Sequence, residues 1–116
     1  MNLPSYNAAF EYLTKHGYEV IGGMIKKNAI VAWERKTDTM VFAKVRRHVK
    51  LTYRNRLRRV AKDKRVEFSK ACAAWRRTNK WHGAWRIDIV DVYGDGNNRP
   101  LVDHIMSVKV YGNVKK

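Results

Sequence analysis

The chain has 116 residues, 45% of them hydrophobic, which is enough for one modest core and excludes a disordered basic tail. It carries 25 lysines and arginines against 10 acids, a formal charge of +15, and a single cysteine, Cys72, which excludes an internal disulfide and a cysteine-based zinc cluster. No run of about eighteen apolar residues is available for a membrane span.

The opening Met1-Asn2-Leu3-Pro4-Ser5-Tyr6 lacks the charged start and apolar stretch of a signal peptide, so a cytoplasmic, reducing location is expected. Residues 5 to 16 predict a helix, with Ser5 as N-cap, an apolar stripe of Ala8, Ala9, Tyr12 and Leu13, and Gly17 just past its end. Tyr18 to Ile21 predicts a first strand, ended by Gly22-Gly23. Ile25 to Glu34 predicts a second, Lys36-Thr37-Asp38 a hairpin turn, and Thr39 to Arg46 a third strand. Arg47 to Arg59 has no clean period and reads as a basic loop or the ragged start of a helix. From Val60 to Thr78 the pattern is helical, with Ala61, Phe68, Ala71, Cys72 and Trp75 on one face. Ala84 to Tyr93 alternates as a strand, residues 94 to 100 form a turn cluster, and Leu101 to Tyr111 predicts a last strand. The order α-β-β-β-α-β-β predicts an α/β (α+β) fold: a mixed sheet flanked by helices, one domain over residues 1–116.

The positive charge is concentrated. Between Lys44 and Lys80 the only acids are Asp63 and Glu67, while Arg46, Arg47, Lys50, Arg54, Arg56, Arg58, Arg59, Lys62, Lys64 and Arg65 all fall before Val66. A charge run of ordinary density is usually solvated surface. At this density self-repulsion asks for a counter-charge, and nucleic acid, DNA in the first place, is the partner expected.

Four stretches carry a family resemblance: Ala9 to Ile21, Ile30 to Arg47, Lys64 to Trp75, and Arg86 to Val92 followed by Val102-Asp103-His104-Ile105. In this order and spacing the chain resembles the YraN-like family of bacterial proteins with the restriction-endonuclease-like fold, over nearly its whole length. The resemblance implies a restriction-endonuclease-like mixed sheet and a metal-dependent nuclease site on the second and third strands. Such a site places carboxylates around Mg²⁺ and uses a lysine to orient water or stabilise charge. Placed on that pattern, this chain has Ala29 and Val31 where the family has acids on the second strand. It has Lys44 for the third-strand glutamate, Arg46 for the lysine, and Tyr6 near the first helix where a further acid is expected. Ala29, Val31, Lys44 and Arg46 are thus vestigial positions, no catalytic residue or metal ligand is assigned, and no cofactor is expected. Related folds often dimerise, so a homodimer is compatible with the resemblance.

The remaining side chains divide between packing and binding. Core packing is expected for Trp75 and Trp85, which sit on apolar faces, whereas Trp81 is the candidate for stacking on unpaired bases. His48 lies beside the vestigial site and is a candidate phosphate contact. Cys72 is expected to be a buried, inert thiol. Asp88 and Asp91 have opposite parity on one strand, so they point to opposite faces, and Asp88 is expected to pair with Arg86 or a helix terminus. The reading is therefore a nucleic-acid-binding protein that contacts phosphates through Lys44, Arg46, Arg47, His48, Lys50, Arg54, Arg56, Arg58, Arg59, Lys62, Lys64 and Arg65, with Trp81 beside them. One alternative is a divergent endonuclease, of Holliday-junction-resolvase type, using Mg²⁺ or Mn²⁺ on the remaining acids. The other is a basic protein-interaction module.

Overall fold

The computed structural model describes residues 3–48, 62–94 and 100–106. Helix α1 spans Leu3–Lys15, strand β1 Tyr18–Met24, β2 Ala29–Glu34, β3 Thr39–His48, helix α2 Lys62–Thr78, β4 Trp85–Tyr93 and β5 Leu101–Ile105. The sheet order is β1-β2-β3-β4-β5. Only β3 and β4 pair in parallel; the other neighbours are antiparallel. A parallel pair needs a long crossover, and α2 lies within it. The protein is thus a mixed α+β fold, a five-stranded mixed sheet with two helices. Among the described residues no helix is long and apolar enough to cross a membrane.

Each helix covers one face of the sheet. On one side Ala9 and Leu13, four residues apart on α1, pack with Ile30, Ala32, Val41, Ala43, Val90 and Val92. On the other, Phe68 and Cys72 of α2 pack with Ala29, Val31, Met40, Phe42 and Ile87. The first four residues of β2 and first five of β3 are all buried, as expected of strands covered on both faces. Phe42 is wholly buried and meets Trp75 and Trp85 edge-on at 5.6 and 5.9 Å, so it anchors the α2 side. Burying a side chain of that size contributes about 2 kcal/mol.

The direction of α2 follows from its contacts. Phe68 lies beside Lys44, Trp75 against Phe42, and Arg76 over Trp85, which is the neighbour of Met40. The helix therefore starts at the carboxyl end of β3 and runs back to its amino end. It closes in a Schellman motif: Lys80 N–H donates to Arg77 O and Trp81 N–H to Arg76 O, with Lys80 at φ 55°.

Several boundaries differ from the sequence expectation. Ser5 lies inside the first turns of α1 rather than capping it, because Pro4 is accommodated at a helix start and the helix begins at Leu3. Gly22 and Gly23 do not end β1: a register shift between Val20 and Gly22 expels Ile21 to solvent, and pairing resumes through Met24. The second strand begins at Ala29, not Ile25, because Ile25–Lys27 form a 3₁₀ turn and Asn28 adopts φ 53°. Strand β3 continues two residues past Arg46, to His48. The last strand is described to Ile105; residues 107 to 111 lie outside the described residues, as do 49 to 61 of the basic stretch.

Candidate functional site

Side chains alternate along β3, so Phe42, Lys44, Arg46 and His48 face α2 while Val41, Ala43 and Val45 face α1. Ala29 lies directly across from Lys44, and Val31 across from Phe42. The structure therefore brings Ala29, Val31, Lys44 and Arg46 onto one face at the carboxyl end of the parallel pair. Tyr6 does not join them; it lies on α1 and packs against the core of the other face.

The basic groups of this column are held. Lys44 Nζ donates to the Lys27 carbonyl at 2.9 Å and sits 5.1 Å from the centre of the Phe68 ring. Arg46 is opposite Asp91 on β4 and grips both carboxylate oxygens, Nε to Oδ1 at 2.7 Å and Nη2 to Oδ2 at 2.9 Å. His48 Nε2 lies 3.1 Å from the same Oδ1, and its ring stacks on Tyr93 at 4.7 Å. Asp91 is wholly buried, so a planar guanidinium that fills both its oxygens is the partner that makes its burial tolerable. Arg46 and His48 are consequently drawn inward, with side chains 15% and 10% exposed. Arg47 points the other way along the strand and is exposed.

Of the other expected contacts, Lys50, Arg54, Arg56, Arg58 and Arg59 lie outside the described residues, and Lys62, Lys64 and Arg65 fall in the first turn of α2. The start of α2 lies at the same end of the sheet as the end of β3. Trp81 does not join the group. Its indole N–H donates to Ala84 O, the carbonyl that also accepts from Met40 N–H, at the amino end of β3. Met40 and Lys44 are four residues apart along that strand, about 13 Å.

The opposite face carries a network that sequence reasoning anticipated only as the Arg86–Asp88 pair. Arg86 donates to Asp88 at 2.9 and 3.2 Å, to Glu34 at 2.8 Å and to the Tyr18 hydroxyl at 2.8 Å. His104 Nε2 lies 2.7 Å from Asp88 Oδ2, and its Nδ1 3.2 Å from the Tyr12 hydroxyl. Five elements are tied together: α1, β1, β2, β4 and β5. Burial would discharge Arg86, but its bonds to Asp88 and Glu34 outweigh that and hold it more firmly charged than a free arginine. Glu34 is held below the ordinary carboxylate range by the Thr37 hydroxyl and then by Arg86. Burial, followed by the Asp103 and Asp88 charges, pushes Tyr12 upward, and burial also raises Tyr18. A phenol shifted upward is a poorer nucleophile at neutral pH, so the Tyr12–His104–Asp88 chain reads as a cross-brace, not as an activated hydroxyl.

Asp88 and Asp91, both wholly buried, fall on opposite faces, as their parity requires. Among the described residues no three histidines, cysteines or acids gather in a way that could hold a metal ion. Cys72 is buried on α2's apolar face, and burial pushes its thiol up to about 12. In comparison with known proteins, no family, no curated protein and no solved structure matches this chain.

Proposed function

We propose that this chain binds nucleic acid, DNA in the first place, on a restriction-endonuclease-like scaffold related to the YraN-like proteins, by neutralising phosphates and without cutting them. The observation that carries the reading is where the acids are. Asp88 and Asp91 are wholly buried and engaged by Arg86 and Arg46, and Glu34 shares Arg86. Three of the 10 acids are thus taken up inside the protein, and among the described residues eight exposed cations, Lys15, Lys26, Arg35, Lys36, Arg47, Lys70, Arg77 and Lys80, face four exposed acids, Glu11, Glu19, Asp38 and Glu67. Such a surface attracts a polyanion at long range and releases its counterions on contact.

Within that surface Arg46 serves as an internal clamp that fixes the carboxyl end of β3. Phosphates are assigned to exposed Arg47 and to the basic residues from Lys50 to Arg65. The face itself supports binding over cleavage: aliphatic Ala29 and Val31 stand beside Lys44, and Asp91 has both oxygens occupied by Arg46. A lysine ammonium at the place of a metal ligand repels the cation that phosphodiester hydrolysis uses.

The test is a binding panel of single-stranded, duplex and branched DNA and of RNA, followed by fluorescence anisotropy with and without Mg²⁺ or Mn²⁺. Binding at low salt with every substrate intact is expected. Metal-dependent cleavage that survives further purification would replace the reading with the nuclease. Failure to bind any nucleic acid at low salt would favour an acidic protein partner.

A further inference from the structure

All four tryptophans of the chain collect around the amino end of β3 on the α2 side. Trp33 on β2, Met40 on β3 and Trp85 on β4 are lateral neighbours across three strands. Trp75 and Trp85 both meet the buried Phe42 ring edge-on. Trp81 follows the Schellman turn and is pinned to Ala84 O, and a Cβ on Gly83 would come within 2.9 Å of its ring. None of the four is buried; each is half-exposed. Two indole N–H groups are already bonded within the protein, Trp33 to Asp38 and Trp81 to Ala84. What Trp33 and Trp81 offer to solvent is therefore apolar π surface held in a fixed orientation.

Cations accompany the rings. Arg76 lies over the Trp85 ring at 4.6 Å, and Arg35 over Trp33 at 5.5 Å. Unlike Arg46 and Arg86, Arg76 has no acid partner among the described residues, and its buried Nε has no hydrogen-bond acceptor. Lys36, Arg77 and Lys80 are exposed on the adjoining turn and helix end. The nearby acids are engaged: Glu34 by Arg86, Glu19 by Arg35, and Asp38 by the Trp33 indole. The ligand that suits fixed aromatic faces bordered by the unmatched Arg76 guanidinium is an anion that itself carries flat faces.

We infer that this tryptophan cluster is a stacking subsite for the unpaired bases of a single-stranded nucleic acid, separate from the phosphate-binding end of β3. The inference rests on the nucleic-acid reading and adds to it a preference for unpaired over paired strands. Duplex bases are already stacked and cannot use the site, whereas every unpaired base has a π face to offer.

Because every tryptophan lies in the cluster, intrinsic tryptophan emission reports on this subsite. The full chain is titrated with oligothymidylate, with a duplex of equal length and with polyglutamate, following emission and, separately, anisotropy of labelled strands. Oligothymidylate is expected to quench emission, and Trp81→Ala or Arg76→Gln to weaken its binding about tenfold while leaving duplex affinity unchanged. Arg76→Gln keeps all four rings, so it decides the matter where Trp81→Ala fails to fold by circular dichroism. Oligothymidylate binding without quenching, and unchanged in Arg76→Gln, overturns the subsite and leaves the phosphate-binding reading standing. Equal quenching by polyglutamate also overturns it, in favour of an acidic peptide. If neither strand nor duplex binds at low salt, both readings fall together.

Discussion

Arg46 and Asp91 stand directly opposite each other on the parallel strands β3 and β4 and join through two hydrogen bonds of 2.7 and 2.9 Å. The pair determines what this end of the sheet can do, because it fills a buried carboxylate and draws the guanidinium inward. Removing one member of a buried ion pair leaves the other charged and unmatched. Asp91→Ala, which strands Arg46 beside His48, is expected to cost about 3–5 kcal/mol. Urea unfolding followed by circular dichroism measures it. A loss below about 1 kcal/mol would mean that solvent reaches the pair and that it does not organise the face.

The Arg86 network gives the protein an acid-sensitive side. Glu34 is held below its ordinary value by Thr37 and Arg86, so the stabilisation it provides is fully present above about pH 4.5 and is lost as pH falls through the lower folded value. The urea midpoint is expected to drop on acidification below that point. Glu34→Gln should lower stability at neutral pH and flatten the acid limb. An acid limb unchanged by the substitution would assign the sensitivity to other carboxylates.

Cys72 is wholly buried, and its thiol is pushed up to about 12. The thiolate is the reactive form, so a soluble disulfide reagent at neutral pH is expected to modify the unfolded chain promptly and the native protein only at the rate of opening. Prompt modification of native protein would show that α2 parts from the sheet readily.

Lys80 holds φ 55° at the Schellman position after α2, where a side chain is strained and glycine is at ease. Lys80→Gly is expected to raise stability by about 0.5–1 kcal/mol. A destabilised variant would indicate that the lysine side chain makes a favourable contact that outweighs its backbone strain.

Much of the fold was readable because its periods are clean. The α-β-β-β-α-β-β order, the Phe68–Cys72–Trp75 stripe and the opposite parity of Asp88 and Asp91 are local patterns, and all three are found in the structure. The bulge at Ile21 and the left-handed Asn28 were missed because paired glycines and an Ile-Lys-Lys run suit a strand end and a strand equally well. At the site, period two places Lys44 and Arg46 on one face. It cannot supply Asp91 as the partner of Arg46, 45 residues away, because that depends on the register of a parallel pair joined by a long crossover. The tryptophan cluster was hidden for the same reason. Trp33 and Trp85 become neighbours only when Met40 is set between them.

The central claim, that a surplus of surface cations is there to neutralise phosphates, is tested most directly by the salt dependence of duplex DNA binding. With Arg54, Arg56, Arg58 and Arg59 alone each meeting one phosphate, a plot of log association constant against log salt falls with a slope of about −3.6, and further contacts steepen it. Micromolar or tighter affinity at low salt, lost along such a line, is the predicted result. An affinity that stays flat between about 50 and 200 mM salt would contradict the account.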